Sequence, residues 1–210
     1  METNLKRIGF RAGMIAFASN ILFVIAQVLQ LIGVLTFPYD EIFIYGFSLC
    51  IVIPFLLEML ALHHAAPASK KYWSHAALIF TVIYAVFVTA NYVVQLATVI
   101  PMTLQGSTYP IEVLRQTPHS MFWDYDAIGY ISMGLASLFV LPIFNNQGFE
   151  KWVRIAFLAN ALVTPLIAFV YFYPNFSETI LLLAIPWTVT APLAMLFLAL
   201  WFRMQGQDRV

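Results

Sequence analysis

One ionisable side chain, Glu58, lies well inside a long apolar run, in Pro54-Phe55-Leu56-Leu57-Glu58-Met59-Leu60. Charge is costly in such surroundings, so an intramembrane carboxyl is a functional candidate. It is expected to be neutral at pH 7 or hydrogen-bonded to neighbouring helices. Pro54, four residues earlier, cannot donate to the carbonyl of Cys50, which leaves a free acceptor and favours a kink. Asn20 and Asn160 fall at a similar depth in their own runs. Asn20, Glu58 and Asn160 therefore form a candidate inner ligand or proton site. The competing reading is interhelical glue, with bonds worth roughly 0.6–2 kcal/mol each.

A denser set lies toward the opposite end of the runs. Gln27 and Gln30 are three residues apart, and Asn91 and Gln95 are four apart with Tyr92 beside them. Both spacings put the pair on one helix face. Asp124 and Asp126 open a later run. Gln27, Gln30, Asn91 and Gln95 are candidate ligand-binding groups, and Tyr92, Asp124 and Asp126 complete a candidate outer vestibule. The alternative is packing, with Asp124 or Asp126 capping the helix that follows.

His63 and His64 close the second run and His75 opens the third. Adjacent histidines diverge by about 100° on a helix, and the chain has no HxxxH or HExxH, so no metal site is expected. His119 stands alone in a loop. There is no P-loop, GxGxxG or Gly-x-Ser-x-Gly, no lysine inside a run for a Schiff base, and no deep histidine for haem. No cofactor is expected and no catalytic residue is assigned. Cys50 is the single cysteine. It excludes an intrachain disulfide and a CxxC motif, and its apolar setting predicts a small buried hydrophobe.

The elements that must position these groups follow from composition. The 210 residues are 62% hydrophobic and 10% charged, with net charge zero and mean hydropathy +0.85. Soluble domains average about 25% charged residues, so this chain cannot cover a water-facing surface. Zero net charge offers no field for nucleic acid. The expected environment is the lipid bilayer. Apolar runs long enough to span it fall near 12–36, 42–63, 73–100, 126–144, 152–173 and 179–202. They are continuous rather than alternating, which selects helices over a β-barrel. Pro38, Pro67, Pro110, Pro118, Gly148 and Pro174-Asn175 punctuate the loops. The first run resembles a signal peptide, with Lys6, Arg7 and Arg11 before Ala16-Phe17-Ala18, but it is too long for an h-region and is read as a retained helix.

Lysine and arginine bias sets orientation. Lys6, Arg7, Arg11, Lys70, Lys71, Lys151, Arg154, Arg203 and Arg209 fall on one side if six helices alternate, and Arg115 alone on the other, with Asp40, Glu41, Glu112, Asp124, Asp126 and Glu178. The fold class is thus an all-α, six-helix polytopic membrane bundle, a single domain over 1–210, with both termini cytoplasmic. The short loops suit a prokaryotic inner membrane. Trp73, Trp123, Trp152, Trp201, Tyr39, Tyr72 and Tyr125 fit aromatic belts at the interfaces. The one sizeable loop, about 101–125, is extracytoplasmic, and its 109–115 stretch suits a short interfacial helix. Loops of this length often act as lids. Pro54, Pro142, Pro165, Pro186 and Pro192 fall within spans. The pair Pro186 and Pro192 makes the last helix the one expected to bend, as helices at transport sites do. Gly9-Phe10-Arg11-Ala12-Gly13 is a GxxxG, a helix-association motif.

Three functions fit these features. The leading one binds or transports a small or lipid-like molecule through the polar residues. The second is a non-catalytic membrane subunit whose polar residues serve packing. The third is an intramembrane enzyme using Glu58 and the interfacial histidines as acid and base. The sequence leaves the ligand and the oligomeric state open.

Overall fold

The computed structural model describes residues 2–107 and 111–207, with side chains over 4–107 and 111–205. Arg209, Tyr109 and Pro110 lie outside the described residues. All regular structure among them is helical: α1 (Glu2–Leu31), α2 (Tyr39–Ala65), α3 (Lys71–Val94), α4 (Ile100–Leu104), α5 (Met121–Val140), α6 (Glu150–Phe172), α7 (Glu178–Leu181) and α8 (Trp187–Gln207). Six of the described helical stretches are long and apolar enough to cross a membrane: Asn4–Leu31, Tyr39–Ala65, Ala68–Leu104, Met121–Ile143, Glu150–Phe172 and Glu178–Gln205.

Local signals explain where helices stop. α1 ends five residues earlier than its apolar run, because Gly33 adopts φ +73°, a conformation that glycine takes without a Cβ penalty. The third span continues from α3 through a single π-turn, Gln95–Val99, into α4. The last span is broken rather than bent. α7 runs into a 3-10 turn at Leu182–Ala184, and α8 begins only at Trp187, after Pro186. Pro54, Pro165 and Pro192 are accommodated inside continuous helices.

The long helices form a closed ring in which each packs against its neighbours in sequence. α1 meets α2, α2 meets α3, α3 meets α5, α5 meets α6, α6 meets α8, and α8 returns to α1. One end of the ring carries both described termini and the turns at 66–70 and 144–149. The other, the far end, carries 32–38, the described loop residues 105–107 and 111–120, and 173–177. The exterior is apolar, with Leu162, Val86 and Phe172 exposed. Cys50 is also on the outside. It is not the buried hydrophobe expected from its apolar setting, because apolar residues line both the inner and the outer face of this helix.

Small residues bring the helices close. A Cβ on Gly13 would lie 2.1 Å from Glu58 Oε1 and 2.7 Å from Ala199 Cβ, and one on Gly9 would lie 2.6 Å from the Phe202 ring. The GxxxG therefore seats α1 against α2 and α8 within the chain. Gly129 and Gly134 on α5 do the same for Val88 of α3 and Thr164 of α6.

At the termini end, three lysines reach the carbonyl ends of the three spans that finish there. Lys6 Nζ donates to Gln205 O at 2.7 Å, Lys70 to Ile143 O at 2.8 Å, and Lys71 to His63 O and, at 3.1 Å, to His64 O. Cations at helix C-termini satisfy orphan carbonyls and complement the helix dipole.

Candidate functional site

At the far end, buried polar groups from several helices converge on Asp126. This carboxylate is 3% exposed, although it sits only six residues into α5. The helix phase decides this. Ser120 caps α5, accepting from Trp123 N at 3.2 Å. Neither aspartate is the cap: Asp124 faces outward, and Asp126, two residues on, faces the core. Asn91 Nδ2 donates to Asp126 Oδ1 at 3.2 Å and the Tyr171 hydroxyl to Oδ2. The Tyr92 and Tyr130 hydroxyls are 2.9 Å apart beside it.

Rings wall this centre. Tyr45 stacks on Tyr92 at 5.3 Å, Trp123 lies 4.5 Å from Tyr171, and Trp187 lies edge-on to Tyr130 at 4.8 Å and to Phe23 at 5.8 Å. Every long helix of the ring thus contributes a side chain. The break at Pro186 sets Trp187 at the start of α8, where it turns inward.

Asn91 and Gln95 also hold the loop above. Asn91 Nδ2 donates to Gln116 Oε1 at 3.0 Å, Gln95 Nε2 to Leu114 O at 2.8 Å, and Gln116 N to Gln95 Oε1 at 3.0 Å. Gln95 opens the π-turn, and such turns are frequent at functional sites. Arg115 is tied down by Thr103 Oγ1 at 2.8 Å, Glu41 at 3.7 Å and Glu112 at 3.8 Å. A short 3-10 turn, Ile111–Val113, lies within the segment expected to be helical.

The buried polar atoms around this centre that have no hydrogen-bond partner include Asn91 Oδ1, Trp123 Nε1 and Trp187 Nε1. Among the described residues the ion pairs are those of Arg115 with Glu41 and Glu112, so Asp126 has no cationic side chain against it.

The structure separates the other sequence-derived residues. Gln27 and Gln30 are exposed on α1. Gln30 Nε2 donates to Asp40 Oδ2 at 2.9 Å, tying α1 to the start of α2, and neither joins Asn91 and Gln95. The inner trio does not converge either. Asn160 Nδ2 donates to Ser137 Oγ at 2.9 Å and its Oδ1 accepts from Thr190 at 3.1 Å, joining α5, α6 and α8. Asn20 reaches Met195 Sδ at 4.0 Å, and its Oδ1 is unpartnered. Glu58 is fully buried, with both carboxyl oxygens unpartnered, beside Gly13 and Ala199. Gly13 and Asn20 share a face of α1 but are about 10 Å apart along it at 1.5 Å per residue.

His63, His64 and His75 gather at the termini end, with ring centroids 5.5 and 5.8 Å apart. His63 Nδ1 is turned to Ser74 Oγ at 3.0 Å, and no histidine bonds Glu58. Among the described residues no group of three or more His, Cys, Asp or Glu is placed to hold a metal ion.

Tyr130, Tyr171, Gln116 and Trp187 belong to the far-end site without having been singled out from sequence. Tyr171 and Asp126 are 45 residues apart, beyond any local spacing rule. The one available signal was the concentration of tyrosines in apolar runs. No family model, curated protein or solved structure matches the chain.

Proposed function

We propose that this is a multi-pass integral membrane protein, with six spans and cytoplasmic termini, that binds a small molecule at the Asp126 centre and carries it through the ring. The observation behind this reading is a buried carboxylate with no cationic partner among the described residues, set among unpartnered polar atoms beneath a loop. Networks that serve packing alone tend to close, because leaving a buried charge uncompensated is strongly destabilising. This one stays open on the side of Asn91 Oδ1, Trp123 and Trp187.

The described segment 111–120 acts as the lid in this reading. It is held by hydrogen bonds worth about 0.5–1.5 kcal/mol each, weak enough to open and close. The broken last span supplies the discontinuous helix that transporters place at their sites. Glu58, unpartnered in its slot nearer the termini end, is the next acceptor along the ring. Orientation rests on the one-sided distribution of lysine and arginine.

A second reading, a non-catalytic membrane subunit, is favoured by Asn160, whose side chain is satisfied on both sides by neighbouring helices. Native mass spectrometry of the purified protein, with metal analysis of the same sample, separates the two. A stoichiometric organic ligand, lost in Asp126→Asn, supports binding. A protein that is empty in both forms supports the subunit, and a stoichiometric metal overturns both. Trypsin added to intact cells should cut at Arg115 alone, and cuts at Lys70 or Lys151 would reverse the orientation.

A further inference from the structure

We infer that the Asp126 centre takes a protonated amine: an organic ammonium ion with at least one N–H and an apolar body. This rests on the binding reading above and names its ligand class.

Charge is the first ground. Asp126 is enclosed, and the side chains that hydrogen-bond it, Asn91 and Tyr171 with Tyr92 and Gln116 beside them, are all neutral. A desolvated carboxyl that is to stay ionised calls for a positive partner, and the described side chains supply none. The second is the acceptor beside it. The amide of Asn91 spends its N–H groups on Asp126 and Gln116 and leaves Oδ1, fully buried, without a donor. An ammonium group supplies the donor that Asn91 Oδ1 lacks and the positive charge that Asp126 lacks. The third is the wall. Electron-rich tyrosine and tryptophan rings attract a cation over their faces, more strongly when water is excluded, and they also take up the hydrocarbon body. The indole N–H groups of Trp123 and Trp187 remain for an oxygen on that body.

The approach carries the same sign. Asp40, Glu41, Glu112, Asp124 and Glu178 lie at this end against Arg115 alone, and Arg115 is held by Glu41 and Glu112. An acidic rim raises the local concentration of cations. An anion finds no seat at the start of α8. Thr188 N donates to Ile185 O, and Val189 N and Thr190 N donate to Pro186 O. A metal cation is disfavoured by the donor set, since hard cations are held mainly by several carboxylates and carbonyls and among the described residues this centre offers a single carboxylate.

The test uses three probes of nearly one shape that do not absorb with tryptophan: cyclohexylmethylammonium, cyclohexylmethanol and cyclohexanecarboxylate. Each is titrated into the full chain in detergent while tryptophan fluorescence is followed. The expected result is saturable binding of the ammonium, at least tenfold tighter than either analogue. Asp126→Asn should weaken it about thirtyfold, the low end for truncating one partner of a buried charge pair. On the unmodified protein, the ammonium should also protect Asp126 from a hydrophobic carbodiimide, read by peptide mass spectrometry, so the test stands even if the variant fails to fold. Equal or tighter Asp126-dependent binding of the alcohol or carboxylate would overturn the amine while leaving a binding site at Asp126. No saturable binding by any probe, with Asp126 unprotected throughout, would overturn both.

Discussion

Replacing Gln95 with Leu should loosen the far-end loop without disturbing the helices. Gln95 is 1% exposed and makes two bonds to the loop, to Leu114 O at 2.8 Å and from Gln116 N at 3.0 Å. At about 1 kcal/mol net for each, their loss costs the closed loop about 2 kcal/mol. At 1.4 kcal/mol per tenfold, that raises the open population about thirtyfold. The substitution leaves the other ties in place: Asn91 to Gln116 at 3.0 Å, Arg115 to Thr103 at 2.8 Å, and the Arg115 ion pairs, which are longer than 3.5 Å and as partly exposed pairs contribute about 0–1 kcal/mol. Arg115 itself provides the assay, because it is the one lysine or arginine between Lys71 and Lys151. Tryptic cleavage after Arg115 splits the chain into two products that mass spectrometry identifies. When opening is fast relative to cleavage, the rate follows the open population. The expected change in Gln95→Leu is tenfold to thirtyfold, with Gln27→Leu, an exposed α1 position, unchanged. A change of less than threefold in Gln95→Leu would mean that the loop is held by something other than these two bonds.

Three further outcomes follow from the packing. Asn160→Leu should lower resistance to unfolding in a denaturing-detergent titration by about 1–3 kcal/mol, the worth of two interhelical bonds, and no loss would show that the α5–α6–α8 tie is energetically idle. Gly13→Ala should cost about 1–3 kcal/mol through overpacking against Glu58 and Ala199, and Ala199→Gly should recover part of it in a double-mutant cycle; strict additivity would contradict the contact. Glu58→Leu should stabilise the fold by about 1–3 kcal/mol, because it removes two buried oxygens that have no partner; destabilisation would show that the carboxyl is bonded in the folded protein.

The residues at the Asp126 centre show why sequence reached part of this site and stopped. Asn91 and Gln95 are four apart, and that spacing alone predicts one shared face. Asp124 and Asp126 look alike in sequence, yet two residues rotate a side chain by about 200° around a helix. Whether the core or the outside receives it depends on which way α5 is turned, and that is settled by Gly129 and Gly134 meeting Val88 and Thr164. Gln27 and Gln30 likewise share a face, but in this fold it is an outer one. These helices are apolar on their outer as well as their inner faces, so the pattern of one helix does not say which side faces the ring.

Length and hydropathy by themselves determined the number of long apolar helices and their approximate limits, because every backbone polar group in an apolar run must be satisfied within its own helix. Glycines and prolines marked where those helices end or break. Tertiary structure alone decided the closure of α8 onto α1, which buries Glu58 beside Gly13 and Ala199, and the meeting of Asp126 with Asn91, Tyr171 and the tyrosine pair. Those groups come from helices far apart in the chain. Only the ring, packed through small residues at its contacts, brings them within reach of one another.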